Sequence, residues 1–209
     1  MNKTSSFGET IAWYDENAKE YFLTTKCHPR NVHLFTPRLP GKKILDAGCG
    51  SGHDANMFTG MGFEPIGVDI SQGLLSVARQ KYPKQKFVEG NLLSLPFPDN
   101  SFDGVWAQAS LLHLETIEDV KQALNEFYRV LVPHVVLYIR VRQQEGERKT
   151  EIIKDINSTH PRFFRYFTEE ELRELFFGAG FTLIKSDTQE SNRGRSAGFR
   201  ITMIGRKRS

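Results

Sequence analysis

The densest group of chemically useful residues is Ile44-Leu45-Asp46-Ala47-Gly48-Cys49-Gly50-Ser51-Gly52-His53-Asp54. An apolar run leads into a glycine cluster, and a helix-compatible stretch follows. Glycines allow a tight turn and let a ligand approach the backbone. A helix start beyond them offers unpaired N–H groups and the positive end of a dipole. Nicotinamide dinucleotides bind such loops through G-x-G-x-x-G, whose third glycine packs helix against strand. Here the glycines fall at 48, 50 and 52, and His53 stands where the third would be, so a pyrophosphate is a poor match. Two further signals follow in order. Asp69 ends an apolar run, where a carboxylate can accept hydrogen bonds from both ribose hydroxyls of a nucleoside. Glu89-Gly90-Asn91-Leu92 ends another and can set a polar side chain beside an adenine edge.

These residues need strands to carry them. Residues 43–47, 64–69, 86–90, 102–107 and 135–139 read as strands. Helical stretches lie between most of them: 73–80, with Ser71 as N-cap, and 118–131, with Val120, Leu124, Phe127, Val130 and Leu131 on one stripe. Alternation at this spacing means right-handed βαβ units and a parallel sheet, with ligands at the carboxyl ends of its strands. The end of the chain departs from it. Thr168-Glu169-Glu170-Glu171 reads as a capping box opening a helix that stops at Gly178-Ala179-Gly180. Two strand-like runs, 181–187 and 199–205, then follow without a helix between them, an antiparallel pair. Before residue 41 the chain reads as helical, with Ile11, Tyr14, Ala18, Tyr21 and Phe22 on one face. The expected architecture is α/β: one Rossmann-like domain over 1–209, with a helical cap (1–40) and a core (41–209). The core holds a mostly parallel seven-stranded sheet ending in an antiparallel hairpin, with helices on both faces.

Bulk properties agree. A chain of 209 residues with 39% hydrophobic and 25% charged residues suits one globular domain rather than a disordered one. No apolar run approaches the roughly 20 residues that cross a bilayer. Met1 to Thr10 is polar and lacks an apolar signal core, so a cytoplasmic address is expected. Cys27 and Cys49 fit a reducing compartment, and neither they nor His28 and His33 make a metal pattern. The net charge of +3 does not by itself imply nucleic acid. Arg193, Arg195, Arg200, Arg206, Lys207 and Arg208 crowd the C-terminal end, read first as a solvated face and second as a contact for a phosphate-bearing partner.

Taken together, the chain resembles the class I, Rossmann-like S-adenosylmethionine-dependent methyltransferases. The glycine loop looks like their first motif, and Gly67-Val68-Asp69-Ile70-Ser71 like their acidic second-strand ending. Residues 95–103 look like the segment leading into their fourth strand, Arg129-Val130-Leu131-Val132-Pro133 like the helix end before their fifth, and 166–181 like the helix before their sixth. The match covers about residues 41–205 and is nearest the small-molecule and ubiquinone-type group. It implies that Asp46, Gly48 and Gly50 hold the methionine part of S-adenosylmethionine, with S-adenosylhomocysteine as product. Asp69 would take the ribose hydroxyls, Ile70 would lie against the adenine, and Asn91 and Leu92 would meet its edge. Ala107 and Gln108 would lie near the amino acid end, and Tyr14 would cover the site. Two departures stand out. Asn91 replaces the family's usual aspartate, keeping an acceptor oxygen and gaining a donor. After Pro133, where the family usually has glycine, comes His134.

The resemblance implies methyl transfer to an acceptor, with a small molecule favoured. A methyltransferase needs a general base only if its nucleophile arrives protonated with a pKa well above neutral, and the chain shows no triad. Gln108, Ser110 and His113 are the candidates for a base or substrate contact, and His113, set among leucines, also reads as a structural residue. Trp13, Tyr14 and Tyr21 suit a lid or a packed helix. Arg140, Arg142, Arg162 and Arg165 suit either an anionic substrate or solvated charge, and residues 143–165 a substrate cover. The alternatives are an RNA or protein methyltransferase and a non-catalytic S-adenosylmethionine-binding protein. Against RNA stand the lack of an appended RNA-binding module and of an Asn-Pro-Pro-Tyr-like motif after the fourth strand. Against loss of function stand the intact loop and Asp69. The sequence assigns no acceptor atom and no oligomeric state.

Overall fold

The structure is a computed structural model that describes residues 5–27, 31–156, 158–191 and 198–208. The chain opens with helices α1 (Ser6–Glu16), α2 (Ala18–Thr24) and α3 (Val32–Phe35). Strand β1 (Lys43–Ala47) follows, then α4 (His53–Gly60), β2 (Glu64–Asp69), α5 (Gln72–Lys81), β3 (Lys86–Glu89), β4 (Phe102–Gln108), α6 (Ile117–Val130) and β5 (Leu131–Arg142). A short pair, β6 (Thr150–Ile153) and β7 (Arg162–Arg165), precedes α7 (Glu169–Gly178), β8 (Phe181–Ser191) and β9 (Gly198–Lys207).

Seven strands form one sheet in the order β3-β2-β1-β4-β5-β9-β8. The first five are parallel, and β9 runs antiparallel to both β5 and β8. The chain reverses direction across the sheet between β1 and β4, which opens a crevice at their carboxyl ends. β1 is buried from Ile44 to Ala47, as a central parallel strand covered on both faces must be. On one face Leu45, Val105, Leu137 and Ile139 pack under α6 and α7. On the other, Ile44, Phe35, Phe58, Trp106 and Tyr138 form an aromatic layer in which the Trp106 and Tyr138 rings stack at 3.6 Å.

Local chemistry sets the helix starts. Ser71 caps α5 by accepting from Leu74 N, as its position suggested. α6 has a full capping box, Thr116 with Asp119, which buries the stripe Val120, Ala123, Leu124, Phe127 and Val130. At α7 the expected box is half formed: Thr168 Oγ1 accepts from Glu171 N, without a return bond among the described residues.

The fifth strand is longer than its apolar core suggested. It begins at Leu131, and its register with β4 slips so that Phe102 faces Leu131 while Gly104 faces Val136. The surplus residues of β5 form a bulge that holds Pro133, a residue tolerated at such irregularities. His134 there adopts a left-handed backbone, φ 67°, the conformation that favours glycine, which is the residue the family resemblance implies at this place. The β6–β7 pair, not foreseen in the sequence, packs against α1. No helix among the described residues is long and apolar enough to cross a membrane.

Candidate active site

The carboxyl ends of β1, β2, β3 and β4 meet the inner faces of α1 and α2 around a cleft with about 730 Å³ of empty space, part of it open to solvent. Its floor is the glycine loop. Gly48 N and Cys49 N both donate to Val68 O, at 2.8 and 3.0 Å, pinning the loop to β2. Gly48 sits at φ 77°, and a Cβ there would lie 2.3 Å from Ser110 Cβ, so glycine is required twice over. At Gly50, φ 52°, a Cβ would meet only ordinary contacts, Tyr21 Cε1 at 3.7 Å and Leu74 Cδ1 at 3.9 Å, and what the missing side chain leaves is bare backbone on the cleft floor.

Asp69 fixes the loop from the other side. Its Oδ2 accepts from Gly50 N at 2.8 Å and its Oδ1 from Ser71 N at 2.9 Å. Burial pushes this carboxyl above its ordinary range, and the backbone N–H groups pull the other way by stabilising the anion. A carboxylate oxygen offers two lone pairs, so each can still accept from a ligand hydroxyl. Ile70, Leu74 and Leu92 make the apolar side of the cleft beside it. Asn91 lines the same end, but its Oδ1 already accepts from Leu93 N at 2.9 Å, so its oxygen is partly committed to its own turn.

At the opposite end stand Gln108, Ala109 and Ser110. Asp54 Oδ2 accepts from both Trp106 Nε1 (2.8 Å) and Gln108 Nε2 (2.9 Å), which aims the Gln108 side chain. Gln108 Oε1 and Ser110 Oγ are buried without a partner, and so is Asp46 Oδ2 behind the loop. Orphaned buried acceptors of this kind call for a ligand donor or for water. Ala109 carries a left-handed backbone at φ 57°, a strained place for a residue with a side chain, fixed by its N–H on Arg140 O at 2.8 Å.

The roof comes from α1 and α2 through Phe7, Thr10, Ile11, Tyr14 and Tyr21. Side chains hold it down at both sides. Asp15 Oδ1 accepts from Ser71 Oγ (2.6 Å) and Gly73 N (2.8 Å) at the start of α5. Toward the β6–β7 segment, Glu9 meets His160 (2.7 Å), Thr10 Oγ1 accepts from Phe163 N (2.9 Å), and Glu16 accepts from Ser158 Oγ and Thr159 Oγ1 (both 2.9 Å).

His113, in a single 3-10 turn after β4, lines the cleft between floor and roof. Its Nδ1 lies 2.8 Å from Phe163 O, and a carbonyl can only accept, so Nδ1 carries the proton. Nε2 is then the acceptor for the Tyr14 hydroxyl at 2.9 Å. Burial holds the imidazole down to about 4, so the ring is neutral and a weak base. Burial likewise raises the Tyr14 phenol.

The cleft gathers Tyr14, Gly48, Gly50, Asp69, Ile70, Asn91, Leu92, Gln108, Ser110 and His113 as the sequence suggested. Asp46 lies one layer behind, buried beside Asp54, whose charge together with burial pushes its carboxyl well up. Ala107 faces the α6 core rather than the cleft, and Ala109 takes its place. Arg165 is spent on the Leu114 and Glu115 carbonyls. Trp13 is buried under Arg162. The C-terminal basic run divides: Lys207 is buried on Leu131 O and Asn100, and Arg206 and Arg208 are exposed. Arg193, Arg195 and His28 lie outside the described residues. Sequence reading missed Phe7 and Thr10; the α1 apolar face signals burial without saying against what.

The cleft thus sets an apolar side at Ile70 and Leu92, a carboxylate at Asp69, and unpartnered polar atoms at Gln108 and Ser110 along one wall. Comparison with known proteins points the same way. A family model described as a methyltransferase domain matches residues 45–139. A demethylmenaquinone methyltransferase of Renibacterium salmoninarum is 31% identical over 133 residues, 60% of this chain and 55% of that one. The chain thus spans about half the length of the demethylmenaquinone methyltransferases it matches. A provisionally assigned methyltransferase of Encephalitozoon cuniculi is 30% identical over 209 residues, covering 92% of this chain and 97% of its own. Among solved structures, the 1,6-didemethyltoxoflavin-N1-methyltransferase of Burkholderia thailandensis, with its substrate and S-adenosylhomocysteine bound, superimposes with a TM-score of 0.73. It is 23% identical and covers 96% of this chain and 88% of its own, a likeness of fold.

Proposed function

We propose that this chain, which belongs to the class I Rossmann-like S-adenosylmethionine-dependent methyltransferases, binds S-adenosylmethionine in the cleft and transfers its methyl group to a small-molecule acceptor. The observation that carries the reading is Asp69, held by Gly50 N and Ser71 N between an apolar slot and a set of orphaned acceptors. That pattern matches a nucleoside with an amino acid tail, and the loop N–H groups of Gly48, Cys49 and Gly50 that a pyrophosphate would draw on are already bonded to Val68 O and Asp69.

The residues divide the work. Asp69 receives the ribose hydroxyls. Ile70 and Leu92 hold the adenine faces, with Asn91 and the Leu92 N–H at its edge. Gly48 and Gly50 let the methionine tail lie on the backbone, where Gln108 Oε1 and Ser110 Oγ meet its polar groups. Asp46 acts from behind, stiffening the loop. When bound, the cofactor supplies a methyl group on positively charged sulfur, already electrophilic, so the protein's task is alignment and exclusion of water. Tyr14, Tyr21 and Ile11 on the roof exclude water.

Of the three catalytic candidates, Gln108 and Ser110 are better explained by the cofactor tail. His113 acts on the reaction only through Tyr14, whose hydroxyl it accepts, and is therefore a positioning residue. Such a site suits an acceptor that brings its own lone pair, an amine or a group already ionised. The small chemical scale of the cleft and the loss of Lys207 from the basic surface favour this over an RNA acceptor. We treat residues 1–209 as one domain with 1–40 as its cap, and place it in the cytoplasm on the free thiols of Cys27 and Cys49.

The test is calorimetric titration with S-adenosylmethionine and S-adenosylhomocysteine, with NADH as control. Micromolar binding of the first two and none of the third is expected. Binding of NADH, or of none of the three, would sink the reading.

A further inference from the structure

The cofactor takes only part of the cleft. Tyr21 and Leu74 stand over Gly50, and Ile70, Asn91 and Leu92 line the cleft with Asp69, at the nucleoside end. What remains lies between α1 and the turn after β4. Phe7, Thr10 and Ile11 come from the helix, His113 and Leu114 from the turn. The two sides are joined at Phe163, whose N–H donates to Thr10 Oγ1 at 2.9 Å and whose carbonyl accepts from His113 Nδ1 at 2.8 Å. Phe7 packs against the core cluster that holds Leu114, and its N–H donates to the Glu115 carboxylate.

The polar groups of this end are already spent. Thr10 Oγ1 also donates to Ser6 O at 2.8 Å. His113 uses both ring nitrogens, and the Tyr14 hydroxyl is held between His113 Nε2 and the Arg162 guanidinium. Among the described residues that line the cleft, Asp69 is the only one with an ordinarily charged side chain, and it belongs to the nucleoside end. None of Arg140, Arg142, Arg162 and Arg165 lines the cleft. Arg162 is held by Asp155 at 2.8 Å, and Arg142 lies over Phe164 and bonds Tyr166. What faces an acceptor is therefore apolar: Phe7, Ile11 and Leu114.

This narrows the chemistry by elimination. An anion would give up its water without a side-chain donor to replace it, other than Ser110, which meets the cofactor tail. An aliphatic amine arrives protonated at neutral pH, has no lone pair to offer, and is repelled by the cofactor's sulfonium. A hydroxyl or a carbon acid must lose a proton during transfer, and the nearest base, His113, is committed to Tyr14. A nitrogen of low basicity escapes all three objections, because it is uncharged at neutral pH and keeps its lone pair.

We infer that the acceptor is an uncharged small molecule of the aromatic or heteroaromatic amine class, lying against Phe7, Ile11 and Leu114 and methylated on that nitrogen. The nitrogen lone pair forms the N–C bond as the S–C bond breaks. The electrons of the broken bond stay on sulfur, which becomes a neutral thioether, and the surplus proton on nitrogen passes to water. The inference rests on the methyl-transfer reading and narrows its substrate class.

The experiment titrates the protein saturated with S-adenosylhomocysteine against aniline, benzylamine and benzoate, which share a ring and differ in charge. Aniline is expected to bind about tenfold or more tighter than either ion. Ile11→Lys sets an ammonium at this end and should reverse the order of aniline and benzoate. Ile11→Ala, which adds no charge, should weaken aniline about threefold and keep the order. With S-adenosylmethionine, methyl transfer is expected to aniline and not to phenol. Either ion binding as tightly as aniline, no saturable binding of aniline, an order unchanged in Ile11→Lys, or transfer to phenol or to neither compound would overturn the inference. Failure of S-adenosylhomocysteine itself to bind the wild type would instead strike the reading beneath it.

Discussion

Gly73→Ala separates the roof from the rest of the molecule. Gly73 lies in the first turn of α5 in ordinary helical backbone, where alanine by itself would stabilise by up to about 1 kcal/mol. The added methyl, however, would sit 2.7 Å from Asp15 Cα and 2.8 Å from Asp15 O, backbone atoms of α1 that yield only if the helix moves. Displacing α1 loosens the Asp15 bonds to Ser71 Oγ and Gly73 N. Each is charge-assisted and half exposed, together about 2–3 kcal/mol. The balance is a loss of about 1–2 kcal/mol, or about 3–6 °C in Tm for a chain of this size. Tyr14 is the next residue, so the affinity for S-adenosylhomocysteine should fall about tenfold, roughly 1.4 kcal/mol. Differential scanning calorimetry and isothermal titration give both numbers. A Tm that rises with unchanged affinity would refute the reasoning, because helix propensity would then have won and the α1–α5 contact would be soft.

Three other outcomes follow from the same geometry. Asp69→Ala should weaken S-adenosylhomocysteine binding at least tenfold in a calorimetric titration, and undiminished affinity would remove the ribose assignment. His113 has a folded pKa depressed to about 4 against an unfolded value near 6.5. It therefore supports the fold fully above pH 6.5 and progressively less as pH falls toward 4, where the unfolded chain binds the extra proton. With the cleft admitting some water, the difference is on the order of 2 kcal/mol, read as a steeper acid loss of urea stability in wild type than in His113→Asn; parallel profiles would contradict the burial argument. Thr116→Ala removes the α6 capping box and should cost about 1–2 kcal/mol, a Tm drop of about 3–6 °C, without changing affinity for S-adenosylhomocysteine.

What the sequence disclosed was local or periodic. The β1 and β2 boundaries are visible because apolar runs end abruptly at glycine or aspartate, and α5 and α6 because their stripes recur at helical spacing. The cleft floor was visible for the same reason, since Gly48, Gly50 and Asp69 sit at strand ends. What stayed hidden depended on distant pairing. Thr150–Ile153 and Arg162–Arg165 are four-residue strands that pair with each other, and the second of them packs against α1, far away in sequence. Asp54, the last residue of the glycine-loop stretch, holds Trp106 and Gln108, more than fifty positions on, a role no local pattern announces. The 2.3 Å encounter between a Cβ at Gly48 and Ser110 likewise belongs to the fold and not to either local stretch. His134 was conspicuous as a missing glycine, and the bulge in β5 supplied the reason.

The floor of the cleft is part of the sheet, while its roof is tied on by polar side chains from Glu9 to Glu16 on one helix. Those ties restrain the roof of a cleft that is already partly open to solvent, so loosening them is expected to speed both the entry and the exit of a nucleoside-sized molecule. Floor and roof both contribute to how tightly a ligand is held, and the fastening of α1 also bears on how long a spent one stays. An exit slowed by that fastening would pace turnover by the departure of product, read as a first cycle that runs ahead of those that follow.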